Sequence, residues 1–158
     1  LPAGRAARLT GAPQVIGAGI VKRFVEQGFH LVANSRTITK STETVASNQV
    51  ALVEGHIGEL ATAAKIVETA LSRFKSIDVL VNNAGVFFTK PFTDYTAQDF
   101  QALVSNNLES FLYITQLAIR QMLAQKTGGS IVTIAAAPAR NPRRGIMASV
   151  PMIREGGL

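Results

Sequence analysis

Short apolar runs alternate along this chain with longer stretches whose apolar residues recur at helical spacing. Ala6 to Thr10 predicts a first strand, Gly11 to Gly17 a loop, and Gly17 to Gln27 a helix. Ile16, Ile20 and Phe24 fall on one face of that helix, and Gly28 is placed to end it. Phe29 to Ala33 predicts a second strand, the polar stretch Thr37 to Asn48 a weak second helix, and Val50 to Val53 a third strand. Leu60, Ala64, Val67, Leu71 and Phe74 keep helical spacing up to a fourth strand over Ile77 to Val81. Thr96 and Asp99 have the spacing of a capping box, in which a side-chain oxygen accepts a backbone N–H at a helix start. The long helix that follows carries Leu108, Phe111, Leu112, Thr115, Ile119 and Met122 on one side and stops at Thr127-Gly128-Gly129. Ser130 to Ala135 predicts a fifth strand, and Pro138 to Arg144 an irregular loop.

Such alternation specifies right-handed crossovers and an α/β fold with a doubly wound parallel sheet of the Rossmann type, of about five strands. Residues 1–158 make a single domain, long enough to bury a sizeable core, without internal repeats or low-complexity tracts. Hydrophobic residues are 47% of the chain, yet no unbroken apolar run approaches the roughly 18 to 20 residues of a membrane helix, so no membrane partner is expected.

Nothing in the first residues reads as a secretory leader, and a cytoplasmic location is the expectation. Absence of cysteine rules out disulfides and thiolate chemistry, and no metal site is expected. The formal charge of +6 is compatible with an anionic partner. Its lysines and arginines are scattered, however, and the one cluster, Arg140, Arg143 and Arg144, lacks interleaved aromatics and reads as a solvated loop rather than a nucleic-acid surface.

Candidate chemistry concentrates at Asp78-Val79-Leu80-Val81-Asn82-Asn83-Ala84-Gly85, an apolar run ending in two amides and a glycine. A buried parallel strand that opens on such residues meets the crevice where open α/β sheets bind ligands. With Thr10-Gly11 and Ile16-Gly17 near the start of the chain, this stretch resembles the short-chain dehydrogenase/reductase family, over about Gly4 to Leu158. The resemblance implies a nicotinamide dinucleotide cofactor held by Gly11, Gln14, Ile16, Gly17, Ser35, Arg36, Ile57, Asn83, Ala84 and Gly85. Arginine at position 36, just past the second strand, pairs with a 2′-phosphate and therefore favours NADP(H) over NAD(H).

Several positions depart from the family's pattern. The middle glycine of its first loop is Val15 here, which either crowds the phosphates and weakens binding or packs the first turn of a loop shifted outward. An aspartate that meets the adenine in the family is replaced by His56, to which no catalytic role is assigned. Of the family's catalytic tetrad only Asn107, in the long helix, is retained. The serine expected after the fifth strand is missing from Ala135-Ala136-Ala137, and Tyr-x-x-x-Lys is absent whether its positions are Ser149 and Ile153 or Pro151 and Glu155. Tyr95 and Tyr113 lie elsewhere.

Arg8 stands in the middle of a strand buried on both faces, where an unpaired charge costs several kcal/mol, so it snorkels or the strand is displaced. Three readings follow: a divergent oxidoreductase acting on a small carbonyl or alcohol, an inactive cofactor-binding or interaction protein, and a non-functional fragment. Family members carry two further strands beyond this point, so a C-terminally truncated member is expected. Homo-oligomerisation is expected through the long helix around residues 107–126.

Overall fold

The computed structural model describes residues 6–12, 15–42 and 44–135. Five strands, β1 (Ala6–Thr10), β2 (His30–Ser35), β3 (Val50–Glu54), β4 (Val79–Asn82) and β5 (Ser130–Thr133), pair in the order β3-β2-β1-β4-β5. Every pairing is parallel, so the alternation of the sequence is realised as a doubly wound α/β sheet. The order reverses between β1 and β4, which makes a topological switch point above their carboxyl ends.

Helices cover both faces, and the strands sort their side chains between them with a period of two. Val32 and Leu80 join the core beneath α2 (Leu60–Phe74) and α4 (Ser110–Ala124), with Ile66, Ile77, Ile114 and Met122. Their neighbours Leu31, Ala33 and Val81 point the other way, into the core with Val21, Phe29 and Ile38 beneath α1 (Val15–Glu26). Central strand β1 is paired on both sides, Arg8 opposite Val32 and Leu80. The side chains of Arg8 and Val15 lie outside the described residues.

Several expectations are corrected. The weak helix predicted over Thr37 to Asn48 is a single 3-10 turn, Ile38–Lys40. Hydroxyls compete for its backbone: Ser41 Oγ accepts from Thr44 N–H, and Ser47 Oγ from the N–H groups of Gln49 and Val50. Strand β2 runs on through Ser35, so Asn34 and Ser35 belong to the sheet and Arg36 is the first residue beyond it. The long helix is three segments, α3 (Ala97–Leu103), a π-helical stretch Val104–Glu109, and α4.

Its buried side is Ser110, Ile114, Ala118 and Met122, whereas Leu108, Leu112 and Ile119 of the predicted apolar stripe face outward. Ile16 likewise is exposed, and α1 buries Val21 instead. The capping box forms as predicted: Thr96 Oγ1 accepts from Asp99 N–H, and the Asp99 carboxylate accepts from Thr96 N–H. The predicted loop Pro138 to Arg144 lies outside the described residues.

Candidate active site

A crevice opens at the carboxyl end of the sheet, lined by Gly11, by Asn34, Ser35 and Arg36, by Gly55, His56 and Ile57, by Ala84, Gly85 and Val86, and by Asn106. Strands β1, β2, β3 and β4 each deliver one of these groups from their last residue or the turn beyond, as the switch-point rule demands. Six of the predicted cofactor residues therefore come together: Gly11, Ser35, Arg36, Ile57, Ala84 and Gly85. Gln14 lies outside the described residues, and Ile16 is 58% exposed and does not line the crevice.

Gly11 and Gly17 have distinct reasons to be glycine. Gly11 adopts φ of 67°, a region that side chains disfavour, and a Cβ on it would stand 3.0 Å from Ala84 Cα. A Cβ on Gly17 would sit 2.2 Å from the Gly11 carbonyl oxygen, so the first turn of α1 can pass beneath the loop only without a side chain. This close approach sets the Gly11 turn directly against the first turn of α1.

Thr10, which the residue pattern does not single out as a site residue, ties the two sides of the switch point together. Its hydroxyl oxygen accepts from the N–H groups of Asn83 and Ala84, each at 3.0 Å. Asn83 Nδ2 returns the bond to the carbonyls of Thr10 and Gly11, at 3.2 and 3.1 Å. Asn34, also missed, does the same between β2 and β3: its Nδ2 donates to Val53 O at 2.9 Å and to Gly55 O at 3.2 Å. Both are polar residues at the end of a buried strand, and that placement is the signal that marks them.

Asn107 lies within the π-helical stretch, a local widening that frequently accompanies functional sites. Its Oδ1 accepts from Val86 N–H at 2.9 Å and its Nδ2 donates to Val86 O at 3.0 Å. The amide thus holds the segment after β4 against the helix, at the crevice wall. Ala136 and the four alternative tyrosine and lysine positions, Ser149, Ile153, Pro151 and Glu155, lie outside the described residues.

The β2–β3 end carries one exposed cation and one engaged carboxylate. Arg36 is exposed and, among the described residues, has no ion pair. Glu54, at the end of β3, is occupied by Thr39, whose N–H and hydroxyl both bond its carboxylate. These bonds, the hydroxyl's first, hold Glu54 below its ordinary carboxylate range.

Comparison with known proteins agrees with this geometry. The family model described as short chain dehydrogenase matches residues 5–148. An L-xylulose reductase of Mesocricetus auratus is 35% identical over 132 residues, covering 84% of this chain and 53% of its own length. A dehydrogenase/reductase SDR family member 4 of Oryctolagus cuniculus is 31% identical over 151 residues, covering 91% of this chain and 57% of its own. Among solved structures, a 3-ketoacyl-(acyl-carrier-protein) reductase from Brucella melitensis, complexed with NADH, superposes with a TM-score of 0.84 at 28% identity, over 91% of this chain and 62% of that one.

The crevice and the fold together define a Rossmann-type α/β protein with its crevice at the topological switch point. The chain belongs to the short-chain dehydrogenase/reductase family. It spans about half the length of the curated relatives it matches.

Proposed function

We propose that this chain is the cofactor-binding portion of an NADP(H)-dependent oxidoreductase acting on a small carbonyl or alcohol, with a cytoplasmic location. Gly11, Gly17, Asn83, Ala84 and Gly85 form the pyrophosphate and ribose cradle, Ser35 and Arg36 receive the adenosine ribose and its 2′-phosphate, and Ile57 walls the base. Bound NADP(H) supplies or accepts a hydride. The carrying observation is Arg36, exposed at the crevice directly after β2 and, among the described residues, in no ion pair.

A second reading, binding without turnover, is favoured by Ala135-Ala136-Ala137, which offers no hydroxyl where the family's serine stands, and by the absence of Tyr-x-x-x-Lys at either candidate register. Asn107 acts in both readings as a positioning residue for the segment around Val86. The exposed face of α4 serves as the surface on which a second copy packs.

A calorimetric titration with NADPH and, separately, NADH tests the binding claim, and absorbance assays of NADPH consumption against a carbonyl panel test turnover. Saturable binding preferring NADPH is expected. Replacing Arg36 by alanine is expected to weaken NADPH about tenfold to a hundredfold, the loss of a charge-assisted contact, and to leave NADH nearly unchanged. Equal loss for both cofactors would remove Arg36 from the phosphate.

A further inference from the structure

We propose that Glu54 is a positioning residue for cofactor choice: through Thr39 it fixes the turn that carries Arg36, and so aims the guanidinium at the 2′-phosphate. The inference rests on the dinucleotide reading above and concerns what holds the phosphate-binding cation rather than the cation itself.

The side chain of Arg36 is exposed and, among the described residues, in no ion pair, so its direction is set by the backbone it leaves. That backbone is anchored at both ends to the same residue. On the near side Ser35, the last residue of β2, pairs with Glu54, the last of β3, and the Ser35 carbonyl accepts the Gly55 N–H at 3.1 Å. On the far side Thr39 donates its N–H to the Glu54 carboxylate at 3.2 Å and its hydroxyl to the same oxygen. Only Arg36, Thr37 and Ile38 span the gap between these anchors.

The span itself is taken up. Thr37 N–H donates to Ser35 Oγ at 3.3 Å, and the carbonyls of Thr37 and Ile38 accept from the N–H groups of Lys40 and Ser41, each at 3.1 Å. Ile38 is fully buried in the core beneath α1. Cutting the Thr39 anchor frees the far end of this turn. A looser turn presents its arginine over a wider range, and each contact the guanidinium makes then costs more ordering entropy.

Charge alone argues for the opposite result, which separates the proposal from simple electrostatics. A carboxylate at the same end of the sheet repels a 2′-phosphate, so its removal by itself would raise the affinity for NADPH. Lys40 and Lys65, which behind the two Thr39 bonds also help to keep this carboxylate ionised, would be released with it and add to that rise. Loss of an anchor lowers the affinity instead.

The test is a calorimetric titration, with NADPH and with NADH, of the unaltered chain and of Thr39→Val, Glu54→Ala and Glu54→Gln, read as the affinity ratio of the two cofactors within each variant. A general loss of stability cancels in that ratio. Thr39→Val and Glu54→Ala are expected to lower the preference for NADPH about threefold to tenfold, with NADH nearly unchanged. Glu54→Gln, which still accepts from Thr39, is expected to keep most of the preference. In an Arg36→Ala background Thr39→Val is expected to change the ratio no further, because no guanidinium remains to be aimed. A ratio that rises or stays level in Glu54→Ala, a fall in Glu54→Gln as large as in Glu54→Ala, or an effect of Thr39→Val that survives Arg36→Ala would overturn the proposal while leaving the dinucleotide reading intact. A folded, unaltered chain that binds NADPH no more tightly than NADH, or binds neither, would overturn the reading of Arg36 and this proposal with it.

Discussion

Asn107 spends its amide on both backbone groups of Val86, and that economy makes it sensitive to a change of one atom. An aspartate at this position keeps the acceptor for Val86 N–H but turns a carboxylate oxygen toward the Val86 carbonyl, which then loses its donor. Asn107→Asp is expected to cost about 1–3 kcal/mol in urea denaturation and to weaken NADPH binding, because the segment bearing Ala84 and Gly85 lines the crevice. An unchanged unfolding midpoint would show that the amide is dispensable. At this scale the resemblance, more than residue type, picks out Gly11, Arg36, Ile57, Ala84 and Gly85, and the fold gathers these five around one crevice. What residue types cannot reveal is partnership. Thr10 reaches Asn83 and Ala84 more than seventy residues away, and only the folded sheet brings its hydroxyl to their N–H groups.

Among the elements, the most instructive is the composite helix formed by α3, the π-helical stretch and α4, because it holds both ends of β4 by the same device. Gln125, just past α4, accepts from Ile77 N–H at 3.0 Å and donates to Ile77 O at 2.7 Å, as Asn107 does with Val86. Start and exit of the strand are thus indexed to one helix, which keeps the crevice in register with the core. Upstream of the helix, Lys90 Nζ lies 2.5 Å from Asp99 Oδ2 and 5.9 and 5.5 Å from the rings of Phe88 and Tyr95. Lys90, followed by the Thr96 cap, holds the Asp99 carboxyl down to about 2, against an ordinary value of 3.8. A carboxylate whose folded value lies below its unfolded one stabilises above the unfolded value and loses that contribution as pH falls through the folded one. Thermal midpoints of the parent and Asp99→Asn are therefore expected to differ at pH 6 and to converge between pH 4 and pH 2. A constant gap across that window would place the stabilisation elsewhere. The capping box was readable because it is local, a matter of spacing within four residues. The fate of Thr37 to Asn48 was less so, since its hydroxyls compete with helix for the same N–H groups and periodicity does not register that competition.

For the whole molecule, the open question is what covers its apolar outer surfaces. Two faces of α4 are apolar, and the fold uses the one with Ile114, Ala118 and Met122 to roof the sheet. The other presents Leu112, Ile119 and Leu123, with Leu123 73% exposed and Leu108 of the π-helical stretch beside them, interrupted at the middle turn by Thr115 and Gln116. Periodicity could find the apolar residues of this helix but not decide which stripe turns inward, because both satisfy the same pattern and only packing against α2 and β4 breaks the tie. Large contiguous apolar patches on a soluble domain mark association surfaces, and a stripe along a helix packs most economically against its own image across a two-fold axis. Substituting Leu112 and Leu123 together by lysine is expected to shift the chain from dimer to monomer in sedimentation velocity, with the far-ultraviolet circular dichroism unchanged because neither side chain supports the core. Should the unaltered chain already sediment as a monomer at concentrations well above micromolar, the stripe serves some other contact, and the pairing of two copies through α4 is wrong.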